Sequence, residues 1–106
     1  MNKVFNYLGL AKRAGKLVLG TDAVLKNLNR NHTHLIVLAS DSSLGTIDKV
    51  EKKAFYYKIP VIKKYSTDEL AQALGTSNPK VIGVNDSGFT KAILAELERE
   101  GKANES

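Results

Sequence analysis

The chain lacks cysteine and tryptophan, and it has only two prolines and one methionine in 106 residues. Without cysteine, disulfide bonds, thiolate metal sites and thiol catalysis are excluded. No apolar run approaches the roughly 20 residues of a membrane-spanning helix, and residues 1–16 lack the long apolar core of a signal peptide. We therefore expect a soluble, cytoplasmic protein with no membrane partner.

Length and composition describe an ordinary folded domain. The chain is long enough for a modest core, and its hydrophobic (42%) and charged (25%) fractions are typical of globular proteins. No repeat, low-complexity stretch or linker divides it. We expect one domain over residues 1–101, a flexible tail at 102–106 and a monomeric protein.

Positive charge is concentrated in the first two thirds of the chain. Residues 1–30 carry six Lys or Arg against one acid, residues 31–66 six against three, and residues 67–106 four against seven. This polarity favours a polyanionic partner, because basic side chains attract phosphates and release their counterions. The alternative is that lysines only keep a small protein soluble, and the net charge of +5 does not decide between the two.

Helix and strand patterns alternate along the chain. Apolar residues at helical spacing predict helices over 2–14, 21–30 and about 46–58, a short helix after the capping box at 66–69, and a last helix from about 86. Short apolar runs predict strands at 17–19, 35–39, 61–62 and 81–84. This alternation predicts an α/β fold, a three-layer α-β-α sandwich around a mixed sheet of about four strands.

Enzyme signatures are scarce. Residues 9–17 resemble a phosphate-binding loop, but the spacing is one residue too long, Leu17 replaces the Ser or Thr that would hold magnesium, and the stretch is helical in pattern. His32 and His34 have no carboxylate or thiol at ligand spacing, so we interpret them as parts of a solvated turn. Asp41 and Asp86 are best explained as helix caps. We predict no catalytic activity, no metal and no cofactor.

The stretch GTDAVLK, residues 20–26, offers a binding site instead. Backbone N–H groups at a helix start bind anions, and Gly20 lets a nucleic-acid backbone approach closely. Either Gly20 or Thr21 stands at the cap. Asp22 can accept hydrogen bonds from guanine N–H groups, and Lys26, one turn on, can reach a base acceptor or a phosphate. The alternative is a capped surface helix with a weak Asp22–Lys26 pair.

This stretch, placed between a short strand and LIVLA, resembles the ribosomal protein L7Ae/L30e family. The similarity continues through LIVLASD, YYKIPVI, ELAQALG and TSNPKVIGV, over about residues 2–84, and the opening LGLAKRAGKLVLG is similar to small bacterial members. The resemblance implies an α-β-α sandwich that binds kink-turn RNA. By position it implies that Gly20, Thr21, Asp22 and Lys26 touch the sheared G·A pairs.

The resemblance also implies a second contact, in which Thr76, Ser77, Asn78 and Pro79 pack on the nucleotides that protrude from the bulge. The chain departs from the family pattern at both places. Asp22 and Ala23 stand where Asn and Glu are common, and Thr76 stands where an aliphatic residue is expected.

We therefore expect a non-enzymatic RNA-binding protein of the translation apparatus. Its RNA would be a kink-turn or a related bend in ribosomal RNA or an mRNA leader, and the ribosome is a further candidate partner. Arg13, Lys16 and Arg30 would contact phosphates, although cations at the end of the first helix also complement the helix dipole. The alternative is a protein-interaction adaptor that keeps the fold without specific kink-turn recognition.

Overall fold

The computed structural model describes the backbone of residues 2–105 and the side chains of residues 2–101. Five helices and four strands alternate without exception in this part of the chain. In order they are α1 (Lys3–Arg13), β1 (Leu17–Leu19), α2 (Thr21–Asn29), β2 (Leu35–Leu38), α3 (Leu44–Tyr57), β3 (Val61–Ile62), α4 (Thr67–Leu74), β4 (Val81–Val84) and α5 (Ser87–Glu105). Among these helices, none combines the length and the apolar character that crossing a membrane requires.

The four strands form one mixed sheet in the order β1-β4-β2-β3. Strand β4 is antiparallel to both β1 and β2, and β2 is parallel to β3. The register places Leu19 opposite Ile82 and Leu38 opposite Val81. The end of β1, the end of β2 and the beginning of β4 therefore meet at one edge of the sheet, which we call the upper edge.

The sheet separates two hydrophobic clusters, as the prediction of three layers requires. Alternate residues of β2 enter the two clusters, Leu35 and Val37 on one side and Ile36 and Leu38 on the other. All four are fully buried, because a strand covered by helices on both faces has no solvated side. Helices α1, α4 and α5 cover the first face and α2 and α3 the second, which confirms the predicted α-β-α sandwich.

Two helix boundaries differ from the prediction. Helix α3 begins at Leu44 rather than near Thr46, because the Ser43 hydroxyl accepts a hydrogen bond from the Thr46 backbone N–H (3.2 Å) and caps it there. Helix α5 runs to Glu105, past Gly101 and into the stretch 102–106 where the sequence predicts a flexible tail. Gly101 does not have the positive φ of a glycine that ends a helix, and a glycine within a helix weakens the helix without ending it. The side chains of the predicted tail, 102–106, lie outside the described residues.

Candidate nucleic-acid interface

A groove of about 280 Å³ lies at the upper edge of the sheet. It forms where the β1–α2 junction meets the loop between α4 and β4, and the Gly20 N–H donates to the Val81 carbonyl across this junction (2.9 Å). The groove is lined by Leu19, Gly20, Thr21, Thr76, Ser77, Asn78, Pro79 and Lys80. Two segments that are far apart in sequence thus share one surface.

Gly20 gives this groove an unusual helix start. It is the N-cap of α2, with φ 105° and ψ 145°, and it offers no side-chain cap. A residue with a Cβ rarely adopts this φ, so the junction requires glycine although a Cβ there would meet open space. Thr21 is therefore the first helical residue and Gly20 the cap, which resolves the choice that the sequence leaves open.

The other four helices begin with a side-chain acceptor, and α2 does not. Asn2, Ser43, Ser66 and Asp86 each accept a backbone N–H at the start of α1, α3, α4 and α5. At α2, no described acceptor receives the backbone N–H groups of residues 21–23. Free backbone N–H groups at a helix start carry the positive end of the helix dipole, so an anion or a base acceptor can bind them.

The opposite wall of the groove is a loop in an irregular backbone conformation. Gly75 ends α4 in the left-handed region (φ 66°), and Asn78 adopts it again (φ 55°) before the buried Pro79. The Thr76 hydroxyl is buried and has no hydrogen-bond partner among the described residues. A buried hydroxyl without a partner is uncommon in folded proteins, and here it stands in the wall of an open groove.

Lys80 is a groove residue that the sequence analysis misses. Its ammonium donates to the Thr67 hydroxyl (2.9 Å), and that hydroxyl donates to the Asp41 carboxylate (2.7 Å), which also accepts the Thr67 backbone N–H (2.9 Å). These hydrogen bonds, led by the one from the Thr67 hydroxyl, hold the pKa of Asp41 below its ordinary value of 3.8. The only sequence signal for Lys80 is its position between Pro79 and β4.

Asp41 is a cap, as predicted, but it serves a different helix from the one that follows it. It binds the first N–H of α4, whereas Ser43 caps α3. Asp86 caps α5 as predicted, since it accepts the Phe89 N–H (2.8 Å). The neighbouring Asn85 fixes α2 to the sheet, because its side chain donates to the Asn27 side chain (3.1 Å).

The predicted basic residues lie in three separate places. Lys26 is exposed on α2 one turn after Asp22, and the two charges form no ion pair within 4.0 Å. Lys16 lies at the lower edge of the sheet, opposite to Gly20, because its carbonyl accepts the N–H of Asn85 at the end of β4 (2.8 Å). Arg30 is the C-cap of α2 and so lies at the far end of that helix.

Arg13 occupies a third position. It lines a hollow between α1 and α4 with Ala73, beside the point where Lys12 donates to the Leu74 carbonyl (2.7 Å). The structure thus brings Gly20, Thr21 and the 76–78 loop together, with Asp22 and Lys26 on the adjoining helix. It does not bring Arg13, Lys16 and Arg30 to the same groove.

The described residues contain no cluster of metal-ligating side chains. His32 and His34 are both exposed, and no three His, Asp or Glu side chains converge within residues 2–101. The stretch that resembles a phosphate-binding loop is helical through Arg13, as its pattern indicates.

Comparison with known proteins agrees with this architecture. Residues 2–93 match the model of the ribosomal protein L7Ae/L30e/S12e/Gadd45 family. The RNA-binding protein YlxQ of Enterococcus faecium is 36% identical over 96 residues, 91% of this chain and 92% of that protein. Its Bacillus subtilis (strain 168) counterpart, also named RNA-binding protein YlxQ, is 37% identical over 94 residues, 89% of this chain and 94% of that protein.

Two solved structures share the fold. A Bacillus halodurans protein of unknown function superposes with a TM-score of 0.88 at 34% identity, covering 92% of this chain and 99% of that one. The 15.5kD RNA binding protein of Giardia lamblia superposes with a TM-score of 0.78 at 13% identity, covering 93% and 88%. The named relatives are RNA-binding proteins rather than enzymes, in line with the prediction of a non-enzymatic chain. With the family model and both relatives in agreement, the chain belongs to the ribosomal protein L7Ae/L30e/S12e/Gadd45 family.

Proposed function

We propose that this chain binds structured RNA at a kink-turn or a closely related bend, through the groove between Gly20 and the 76–79 loop. The observation that carries the proposal is the start of α2, where the backbone N–H groups of residues 21–23 have no described acceptor and where Gly20 and Thr21 line the groove. The names of the YlxQ relatives support RNA as the ligand.

The chemistry of the groove suits unpaired bases or a sheared base pair. Donors at the start of α2 bind phosphate or base acceptors, and the exposed Asp22 carboxylate accepts the N–H groups of a guanine edge. Lys26 reaches a guanine acceptor edge or a phosphate from the next turn. An A-form duplex does not offer these edges, because its deep major groove hides them, so specificity comes from a sharply bent, partly unpaired element.

The loop opposite supplies the second contact. The exposed side chains of Ser77 and Asn78, beside Thr76, contact a nucleotide that protrudes from the bend. Lys80 adds a positive charge on the same wall. We place this activity in the cytoplasm, on ribosomal RNA or an mRNA leader, in association with the ribosome or translation.

Replacing Lys26 tests the proposal. Lys26→Ala should weaken binding to a kink-turn RNA by about 1–3 kcal/mol and reduce the slope of log affinity against log salt by about 1. Lys91→Ala is the matched control, since Lys91 is exposed on α5 across the sheet. A duplex with Watson–Crick pairs in place of the sheared G·A pairs should bind weakly to every variant. Equal kink-turn affinity for Lys26→Ala and wild type would show that the site is misplaced.

A protein-interaction adaptor is the second candidate. It is favoured by Ala23, which has no side-chain acceptor for a guanine, and by the negative charge of Asp22 at the groove. If the adaptor hypothesis is correct, kink-turn RNA should bind no better than the control duplex, and Ala23→Glu should restore no preference.

A further inference from the structure

A second exposed surface lies at the other end of α2 and α3. Phe55 and Tyr56, at the end of α3, expose 87% and 76% of their surface. Together with Lys52, Lys53 and Lys58 they form what we call the aromatic–lysine surface. Large aromatic side chains normally bury most of their area, so two adjacent exposed rings mark a contact surface.

The aromatic rings are held in place by their neighbours. Tyr56 packs edge-to-face on Tyr57, with ring centroids 4.9 Å apart. The Tyr57 hydroxyl donates to the Asn29 side-chain carbonyl at the end of α2 (2.6 Å). Hollows of about 660 and 440 Å³ adjoin Tyr56, and Lys52 borders both. The Tyr57 ring and its hydrogen bond to Asn29 therefore support Tyr56.

Positive charge dominates around these rings. Two acids lie on the same helix, and each is paired: Asp48 with Lys52 (3.1 Å) and Glu51 with Lys63 (3.3 Å). Neither Lys53 nor Lys58 has a carboxylate within 4.0 Å among the described residues. Both of these lysines border the hollows beside Tyr56.

We propose that the aromatic–lysine surface is a second RNA-binding surface, which takes an unpaired strand by stacking bases on Phe55 and Tyr56 while Lys53 and Lys58 contact its phosphates. Exposed aromatic faces combined with cations form the usual platform for single-stranded nucleic acid, because every base has a face that can stack. A purely apolar protein partner would have to bury the ammonium groups that border the rings, whereas a polyanion is attracted by them.

The position of the surface fits an RNA that already occupies the groove. Asn29, which binds Tyr57, is the last residue of α2, and Gly20 precedes its first residue. The two are nine positions apart, a rise of about 13.5 Å, which an unpaired strand leaving a bent RNA element can span in a few nucleotides. Arg30, which the structure separates from the groove, follows Asn29 at this end. The inference shares RNA with the proposed function but uses different residues, so each can fail alone.

The test uses the full chain and a fluorescein-labelled ten-nucleotide oligoadenylate, chosen because adenine stacks well. The double variant Phe55→Ala/Tyr56→Ala should lose about tenfold or more in affinity by fluorescence anisotropy at low salt. Leu44→Ala, which removes an equally exposed apolar side chain (85%) from the first residue of the same helix, is the matched control and should bind oligoadenylate as wild type does. Lys53→Gln/Lys58→Gln should weaken binding and flatten its salt dependence.

A second readout follows the aromatic rings directly. The protein has four tyrosines and no tryptophan, so its intrinsic emission reports tyrosine alone. Oligoadenylate should quench part of this emission in wild type, and Tyr56→Ala should remove the quenching. Quenching that persists in Tyr56→Ala would place the strand elsewhere and overturn the inference.

Parallel titrations with a kink-turn RNA separate this inference from the proposed function. The aromatic double variant should retain kink-turn affinity, and Lys26→Ala should retain oligoadenylate affinity. Wild-type oligoadenylate affinity in the double variant would overturn the inference and leave the groove proposal intact. A second result would also overturn the inference: wild type forms a dimer and does not bind oligoadenylate, and the double variant is a monomer. The surface would then bind a second copy of the chain rather than RNA.

Discussion

The two ends of α2 carry two different kinds of surface. At its start, Gly20 leaves backbone N–H groups without a side-chain acceptor beside the groove. At its end, Asn29 is hydrogen-bonded to Tyr57, next to exposed rings and lysines. The first surface is concave and depends on backbone geometry, whereas the second is open and depends on side chains. The first therefore suits a folded RNA of defined shape, and the second suits an irregular strand.

This difference has a consequence for mutational sensitivity. A backbone-built surface is lost when the backbone is strained, even if no contact residue changes. A side-chain surface is lost when rings or charges are removed, and the fold barely responds, since the side chains are exposed. Changes at the two ends of α2 should therefore differ in how strongly they couple RNA binding to protein stability.

The largest effect is expected for Gly20→Ala. The substituted residue would have to hold φ 105°, a conformation that costs roughly 1–3 kcal/mol for a residue with a Cβ. Urea unfolding should show a loss of that size, and kink-turn affinity should fall at least tenfold while oligoadenylate affinity is kept. Gly45→Ala, inside α3 with open space around it, is the control and should leave stability unchanged or raise it by up to about 1 kcal/mol. Unchanged stability in Gly20→Ala would contradict the assignment of strain.

The opposite end of α2 is probed by Tyr57→Phe. Losing the hydrogen bond to Asn29 should lower the free energy of unfolding by about 0.5–1 kcal/mol. Oligoadenylate affinity should fall severalfold, because the ring that supports Tyr56 loses its anchor, and kink-turn affinity should not change. Tyr7→Phe, which removes a tyrosine hydroxyl from α1 on the other face of the sheet, is the control for thermal and urea unfolding. Equal losses in both variants would show that the bond to Asn29 contributes nothing.

A change that separates stability from binding is expected at Lys58. This residue ends α3 in the left-handed conformation (φ 59°), which glycine adopts without penalty. Lys58→Gly should therefore raise the free energy of unfolding by about 0.5–1 kcal/mol and at the same time weaken oligoadenylate binding. Asn31→Gly, at the same φ of 59°, should gain less, since asparagine tolerates this region. If Lys58→Gly lowered both the free energy of unfolding and the oligoadenylate affinity, the expectation that stability and binding change in opposite directions would be wrong.

The smallest expected effect is a pH dependence of protein stability that arises from Asp41, which is linked through Thr67 to the groove residue Lys80. The pKa of Asp41 is lowered by the Thr67 hydrogen bonds, so the folded state binds fewer protons than the unfolded state. The resulting stability is present above the ordinary value of 3.8 and is lost as the pH falls below it. Asp41→Asn and Thr67→Val should both reduce the loss of stability between neutral pH and pH values below this range, measured by urea unfolding. A full wild-type pH dependence in both variants would exclude Asp41 as its source.

Local signals predict the fold well. Helical spacing, the capping box at 66–69 and the apolar run at 35–39 lead to the observed elements within about two residues, except at the end of α5. The exception has a physical cause, since Gly101 weakens a helix but does not force an end. Gly20 is recognisable because it stands directly between a strand pattern and a helix pattern, where the chain must turn sharply.

The candidate site is only partly predictable. The residues themselves indicate a site at Gly20, whereas the 76–79 loop is indicated only by the resemblance to a family. Lys80 is missed because its neighbours, Thr67 and Asp41, are distant in the chain. Lys16 and Arg30 are grouped with Gly20 by charge alone. Strand register places Lys16 at the lower edge of the sheet, and the length of α2 places Arg30 at the end of the helix away from Gly20.

The amino-acid sequence by itself determined the alternation of helices and strands and the two-sided burial of β2, because each depends on residues within a few positions of one another. Only the tertiary structure decided which distant segments meet. The pairing of β4 with β1 and β2 sets the 76–79 loop beside Gly20, and the packing of α2 on α3 sets Asn29 on Tyr57. These contacts depend on register and packing across the whole sheet, which no local stretch of sequence encodes.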